Sequence, residues 1–301
     1  MNDKYETFYT LFADKYEFKS METIRPLLAD TISIIRTIEE DEKIPVGSSK
    51  FGGNPDLPKG MVYPFVDEEI AYTFVMQINC AEVVPFDKQG CFPKSGMLYL
   101  FQKFEYEELT LSFDFEPDEL EEFYRCAHIV HYDGNEELVR VERPENEHAL
   151  LIESARIGFV PSYTLPCPYE QGHFYEKVGI TDEDELDVIN KLQTALYRLP
   201  YETAEDVIEM DLEAFYDKPV HQLFGYPDGY QGAVDVEVEV LLKDFEDGDK
   251  EPVPTQHLFQ LSVDEDINLW WAADGAMYYF IAEEDFKNGV FSRVCHTMQC
   301  G

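Results

Sequence analysis

Two stretches decide the fold: Phe51-Gly52-Gly53-Asn54-Pro55-Asp56 near the start, and Phe224-Gly225-Tyr226-Pro227-Asp228 in the last third. Each is a turn built on Gly, which adopts positive φ at no steric cost, and Pro, which fixes φ and removes a donor. An apolar run with one central glutamine follows each turn, FVMQI with Gln77 and HLFQL with Gln260. A second run then opens on glycine, as Gly96-Met97-Leu98-Tyr99-Leu100-Phe101 and as Gly275-Ala276-Met277-Tyr278-Tyr279-Phe280. Turn, glutamine strand and glycine-led strand recur in the same order. The expectation is an internal duplication in which Gly52, Gly53, Pro55, Gln77 and Gly96 have counterparts in Gly225, Pro227, Gln260 and Gly275.

Working outward, residues 4–17 place Tyr5, Phe8, Phe12 and Tyr16 at spacings of three and four, which predicts an amphipathic helix. Residues 21–38 carry Met21, Ile24, Leu28, Ile32, Ile35 and Ile38, with Ser20 as N-cap, and predict a second helix. Strands are expected at 72–79, 97–104, 109–115, 126–132 and 136–142, with a helical turn at 116–123. Residues 149–163 fit a strand or a helix. Helices are expected at about 182–198 and 203–216. From 233 to 242 Val234, Val236, Val238 and Val240 alternate with Asp235, Glu237 and Glu239, the pattern of a half-buried strand. DFEDGDKEPVP after it reads as an exposed acidic loop.

Together these predict an α+β fold with largely antiparallel sheets flanked by helices and an N-terminal helical pair. The segments are 1–43, 44–165 and 166–301, packed as one compact unit. No Gly-rich phosphate loop follows a strand, which argues against dinucleotide and P-loop nucleotide binding.

The chain has 301 residues, 45% of them hydrophobic and 14% aromatic, enough for a large ordered core. Against 62 Asp and Glu stand 23 Lys and Arg, a net charge of -39. Such a field repels nucleic acid and anionic membranes, and it attracts a basic protein partner. Cys80, Cys91, Cys126, Cys167, Cys295 and Cys300 form no Cys-x-x-Cys pair. The start MNDKYETFYT lacks the basic and apolar regions of a secretory signal. Reduced thiols and a cytoplasmic location are expected.

The motifs resemble those of the YwqG-like family, bacterial proteins of no assigned activity. Its Gly-Gly-x-Pro-x-Leu-Pro is matched by Gly52, Gly53, Pro55, Leu57 and Pro58, and its Trp-Pro by Tyr63-Pro64. A strand glutamine matches Gln77, and Gly-x-Leu matches Gly96 and Leu98. In the second half His221, Gly225, Pro227 and Gln231 match His-x-x-x-Gly-x-Pro with its downstream Gln. Leu258, Gln260, Leu261, Asp264 and Asp266 follow the family's Leu-x-Gln-Leu and its acids. Trp271 and Asp274-Gly275 approximate a Trp-Gly-Asp-x-Gly with the acid one place late. The resemblance, over roughly 45–300, implies a duplicated α+β fold and a neighbourhood of bacterial toxin–immunity systems. It implies no catalytic residue.

Candidate sites follow from chemistry. Gln77 and Gln260 either tie their strands to the Gly-Pro turns or bind a ligand, since a buried amide needs partners. His221, with Gln222 beside it and Gln231 nearby, either orients a polar ligand or bonds loop backbone. Asp264, Asp266, Asn268 and Asp274 begin like an EF-hand loop, but Leu269 and Gly275 stand where that loop needs Gly and Glu, so no metal is expected. Cys295-His296 and Cys300 lack a second ligand pair for zinc and a basic environment for a reactive thiolate, and read as buried structural thiols. No catalytic residue and no cofactor is expected. The leading expectation is an acidic, immunity-like binding protein that masks a basic protein. The alternative is an enzyme or small-ligand binder with His221, Gln222, Gln231 and Asp274 in a cleft between the halves.

Overall fold

The computed structural model describes residues 3–67, 70–103, 126–144, 150–169, 171–212, 218–245, 254–271 and 274–300. The strands are β1 (Ala29–Ile38), β2 (Lys50–Phe51), β3 (Asp56–Pro58), β4 (Thr73–Asn79), β5 (Met97–Gln102) and β6 (Ala127–Tyr132), then β7 (Leu138–Arg140), β8 (Ala155–Thr164), β9 (His221–Leu223), β10 (Thr255–Ser262), β11 (Ala276–Ala282) and β12 (Val294–Gln299). The α-helices are α1 (Asp3–Lys15), α2 (Met21–Ile24), α3 (Cys80–Val83) and α4 (His173–Lys177), then α5 (Glu183–Arg198), α6 (Ala204–Glu209), α7 (Val234–Phe245) and α8 (Glu283–Lys287).

Ten strands form one sheet in the order β12-β11-β10-β9-β1-β8-β2-β4-β5-β6, and β3 pairs with β7 separately. Every described pair is antiparallel. The edge strands β6 and β12 approach each other, so the sheet curls into a nearly closed barrel. Tyr279 on β11 donates across the interior to Gln102 Oε1 on β5 at 3.0 Å. Inside lies the main core, with Ile32, Ile34, Met76, Leu98, Phe259 and Met277. Helices α1, α5 and α6 enclose a second core through Phe8, Phe12, Leu192, Leu196 and Val207. The fold is thus mixed α and β with a large antiparallel sheet, as expected.

The centre of the sheet is the ten-residue pairing of β1 with β8, from Ala29↔Thr164 to Ile38↔Ala155. It corrects the second helix expected at 21–38, where only the single turn of α2 and a 3-10 turn at Arg25–Leu27 are helical. Ser20 sits at the N-cap of α2 without a capping bond. The expected N-terminal helical pair is therefore one full helix, one turn and a strand. The reason is that β1 is covered on both faces: Thr31, Ile32, Ser33 and Ile34 are all buried. A doubly covered strand loses its alternation, and spacings of three and four then arise by accident.

The opposite error occurs at 233–242, where a strand was expected and α7 forms. Val234, Val238 and Leu242, four residues apart, face Tyr278 and Phe280 of the sheet, while Val236 is exposed. Tertiary packing of that face overrides the weak helix preference of valine. Glu237 on α7 accepts from Thr297 and Gln299 on β12, which fixes the helix against the sheet.

The expected strands at 72–79, 97–104, 126–132 and 136–142 are β4 to β7, and the ambiguous 149–163 contains the start of β8. The helix expected at 182–198 is α5, capped by Asp182, and the one at 203–216 is the shorter α6, capped by Thr203. The strand expected at 109–115 and the helical turn at 116–123 lie outside the described residues, as does most of the acidic loop after α7. All six cysteines are free thiols, with Cys80, Cys126 and Cys295 buried. Among the described residues no helix is long and apolar enough to cross a membrane.

Candidate functional site

The two Gly-Pro turns cross the outer face of the sheet and bond to it in the same way. Lys50 pairs in register with Gln77, and Gln222 pairs with Gln260. Gln77 Oε1 accepts from the Asp56 amide at 2.8 Å, and Gln260 Oε1 accepts from the Asp228 amide at 2.8 Å. Tyr99 and Tyr278, the cross-strand neighbours of the two glutamines, donate to the Asp56 and Asp228 carbonyls at 2.6 Å each. Lys50 Nζ donates to the Asn54 carbonyl at 2.5 Å, and Gln222 Nε2 to the Tyr226 carbonyl at 2.8 Å.

These contacts match Pro55-Asp56 with Pro227-Asp228 and set the residue-by-residue correspondence of the two turns. Phe224 occupies the place of Gly52, not of Phe51, and both hold positive φ, +61° and +49°. Gly53 and Gly225 follow at +63° and +72°. A Cβ on Gly225 would lie 1.9 Å from Thr31 Oγ1, so the turn needs glycine for space as well as for φ.

The carboxylates at the ends of the turns differ. Asp56 is fully buried and accepts from Gln77 Nε2 (2.8 Å), the Gly47 amide (3.0 Å), and Arg140 Nε and Nη2 (2.9 and 3.3 Å). Arg140 also donates to the Asp41 and Ile44 carbonyls, and Asp41 meets Lys50 Nζ at 2.5 Å. The network is complete.

Asp228 instead faces a cleft of about 560 Å³ at the C-terminal end of α5, beside the loops that flank β9 and β10. Among the described residues no donor or cation meets its carboxylate. Burial alone pushes that carboxyl up to about 7. Gln260 Nε2, on a side chain with no exposure, has no partner either. Tyr197 and Tyr230 stand on the cleft wall.

Further along the wall, Asp264 takes a bidentate grip from Arg36 Nε and Nη2 at 2.5 and 2.6 Å, and Asp266 accepts from Arg36 Nη2 at 2.6 Å. Burial raises the Asp264 carboxyl, but the hydrogen bonds from His221 and Arg36 outweigh it and hold it at about 2. Asp264 and Asp266 are therefore committed to an arginine. Asn268, at φ +55°, bonds the Leu151 carbonyl and accepts from Trp270. Among the described residues no group of three or more His, Cys, Asp or Glu side chains is placed to hold a metal.

The other residues singled out from sequence are divided by the fold. His221 is buried behind the wall, its Nε2 3.2 Å from Asp264 Oδ2 and its ring 5.1 Å from that of Phe51. It is absent from the cleft lining because β9 turns it inward. Gln222 is buried and bonds the Phe224 and Tyr226 carbonyls. Gln231 is exposed, and its amide donates to Gln299 Oε1. Asp274 lines the cleft. Cys295 and His296 are both buried in β12. Arg36 and Arg140 gave no signal in the sequence, because their partners lie 228 and 84 residues away. Asp56 and Asp228 close the two quoted motifs, and their place after Pro was the available signal.

The family model described as "Domain of unknown function (DUF1963)" matches residues 49–300. No curated protein matches the chain.

Proposed function

The chain belongs to the DUF1963 family, and we propose that it is a non-enzymatic binding protein that masks a basic protein partner. The observation that carries this reading is the concave surface at Asp228. It combines a half-buried, uncompensated carboxylate with Glu265 and Asp274 in the cleft lining, in a chain of net charge -39. A field of that sign accelerates encounter with a cationic surface and repels nucleic acid and anionic membranes. An immunity-like role against a basic toxin in a bacterial cytoplasm is the version that the YwqG-like resemblance favours.

The same reading includes an internal duplication. The sheet order is mirrored about the β1–β8 pair, with β9-β10-β11-β12 on one side and β2-β4-β5-β6 on the other. The contacts from Gln77, Tyr99 and Lys50 to their turn recur from Gln260, Tyr278 and Gln222. Two copies in which one turn keeps an internal cation and the other faces solvent would give a stable half and a binding half.

The test is capture on the immobilised chain from the native host. A basic partner whose retention falls steeply with salt, and falls again for Asp228→Asn with Asp274→Asn, is expected. A neutral partner, or one indifferent to salt and to both substitutions, contradicts the reading.

One observation favours an enzyme or small-ligand binder instead: Asp228 at about 7 and Asp264 at about 2 lie in one cleft, as separated acid–base pairs do. Turnover of simple ester, amide or glycoside substrates, lost in Asp228→Asn, would establish it. His221 does not reach the cleft and acts only through its contact with Asp264.

A further inference from the structure

The Asp56 turn shows what the Asp228 turn lacks, and we propose that Asp228 is a guanidinium-binding subsite that takes an arginine side chain from another molecule. The inference rests on the binding reading above and gives its cleft a ligand chemistry.

Each donor at Asp56 has an identifiable loss at Asp228. The residue matching Gly47, counted back from the paired glutamines, is Pro219, which has no amide hydrogen to donate. The place of Arg140 is taken by no cation among the described residues. Gln260 Nε2, the match of Gln77 Nε2, is fully buried without a partner, on the same side chain whose Oε1 holds the Asp228 amide. A buried donor left open is costly, and native structures complete such groups with water or a bound group; here an unpaired, half-buried carboxylate stands at the same turn. A guanidinium at Asp228 would restore the arrangement that Arg140 makes at Asp56. The carboxylate would then be free to accept from Gln260 Nε2, as Asp56 accepts from Gln77.

The surroundings select guanidinium over other cations. Its planar fork matches a carboxylate in two bonds, which an ammonium cannot do. Tyr197 and Tyr230 line the same cleft, and an aromatic side chain can stack on a guanidinium plane; Tyr230 is 43% exposed. A divalent metal would find the oxygens of one carboxylate and an amide N–H.

The cations already in the cleft do not fill the subsite. Arg36 is held by Asp264 and Asp266, Arg198 Nη1 donates to the Asp211 carbonyl, and Lys218 Nζ lies 5.8 Å from the Tyr201 ring. The titratable groups facing Asp228 are Tyr197 on α5, Tyr230 on its own loop and Tyr278 on β11, with Asp274 across the cleft.

The test uses the full chain and N-acetyl-arginine methylamide as probe, followed by NMR at pH about 8, where Asp228 is ionised. Saturable shifts at Asp228, at Tyr230 and at the Gln260 side-chain amide are expected. Affinity should fall at least about tenfold in Asp228→Asn, and about tenfold for the lysine counterpart of the probe. It should weaken as pH falls through about 7 in wild type and in Asp274→Asn alike. Asp228→Asn removes an unpaired charge and should fold. Pro219→Gly, which restores an amide donor, is a second variant that should weaken the probe. Equal binding by Asp228→Asn, or by the lysine probe, overturns the subsite, as does an absence of shifts at Asp228. If the probe binds as described while no basic protein is captured, the subsite stands and only the masking of a protein fails. If a protein is captured and the probe leaves Asp228 unmoved, the subsite alone fails.

Discussion

The turn ending at Asp56 and the turn ending at Asp228 share a backbone course, a glutamine that holds the aspartate amide and a tyrosine that holds its carbonyl. They differ in the carboxylate. Asp56 is enclosed by four donors, two of them from Arg140, while Asp228 is half-buried at the edge of a cleft and meets none among the described residues. The lesson is that one scaffold can carry a carboxylate matched from within or leave it open to a cleft. Lys50 and Gln222 repeat the contrast. Both pin the turn carbonyl, but only Lys50 brings a charge, which Asp41 matches.

The largest expected effect comes from opening the closed turn. Arg140→Ala leaves Asp56 buried without its cation and should cost about 3–5 kcal/mol in chemical denaturation. A loss below about 1 kcal/mol would mean that the two turns are energetically alike. Next is the backbone they share. Gly225→Ala places a methyl group 1.9 Å from Thr31 Oγ1 at a φ of +72°, and should cost about 2–3 kcal/mol. The same change at Gly60, which has open space around it, should cost less and measures the share due to positive φ alone.

Acid separates the two carboxylates of the cleft. Asp264 titrates lower folded than unfolded, so its contribution is present above about 4 and is lost as pH falls toward about 2. Asp264→Asn should remove about 2 kcal/mol at neutral pH and flatten that acid limb. Asp228 has the opposite sign. Its folded value of about 7 lies above the unfolded one, so its ionised form destabilises the protein above about 7 and not below about 4. Asp228→Asn should therefore stabilise by about 1–2 kcal/mol at pH about 8, an effect that vanishes near pH about 4. Stabilisation that is independent of pH would contradict an unpaired carboxylate.

The turns and several of the strands that carry this contrast were legible in the sequence, the contrast itself was not, and the missing parts have physical causes. The turns, the glutamine strands and the glycine-led strands showed because their rules are local: Gly and Pro mark turns, and apolar runs mark strands. β1 was missed because burial on both faces removes alternation, and α7 because alternating valines mask a four-residue spacing. The equivalence of Phe224 with Gly52 was not legible, since a phenylalanine at positive φ is uncommon. His221 attracted attention for its chemistry, yet the strand turns it into the core. The cleft was not legible at all, because Arg36, Asp228 and Asp264 meet only through the order of the sheet.

The most direct test is a carboxyl-carbon NMR titration of Asp228 in the intact chain, with and without N-acetyl-arginine methylamide. An open site predicts a midpoint near 7 in the free protein, and a midpoint well below that when guanidinium is bound. A midpoint in the usual carboxylate range that the probe does not move would show that Asp228 is already matched from within, and the difference between the two turns would be gone.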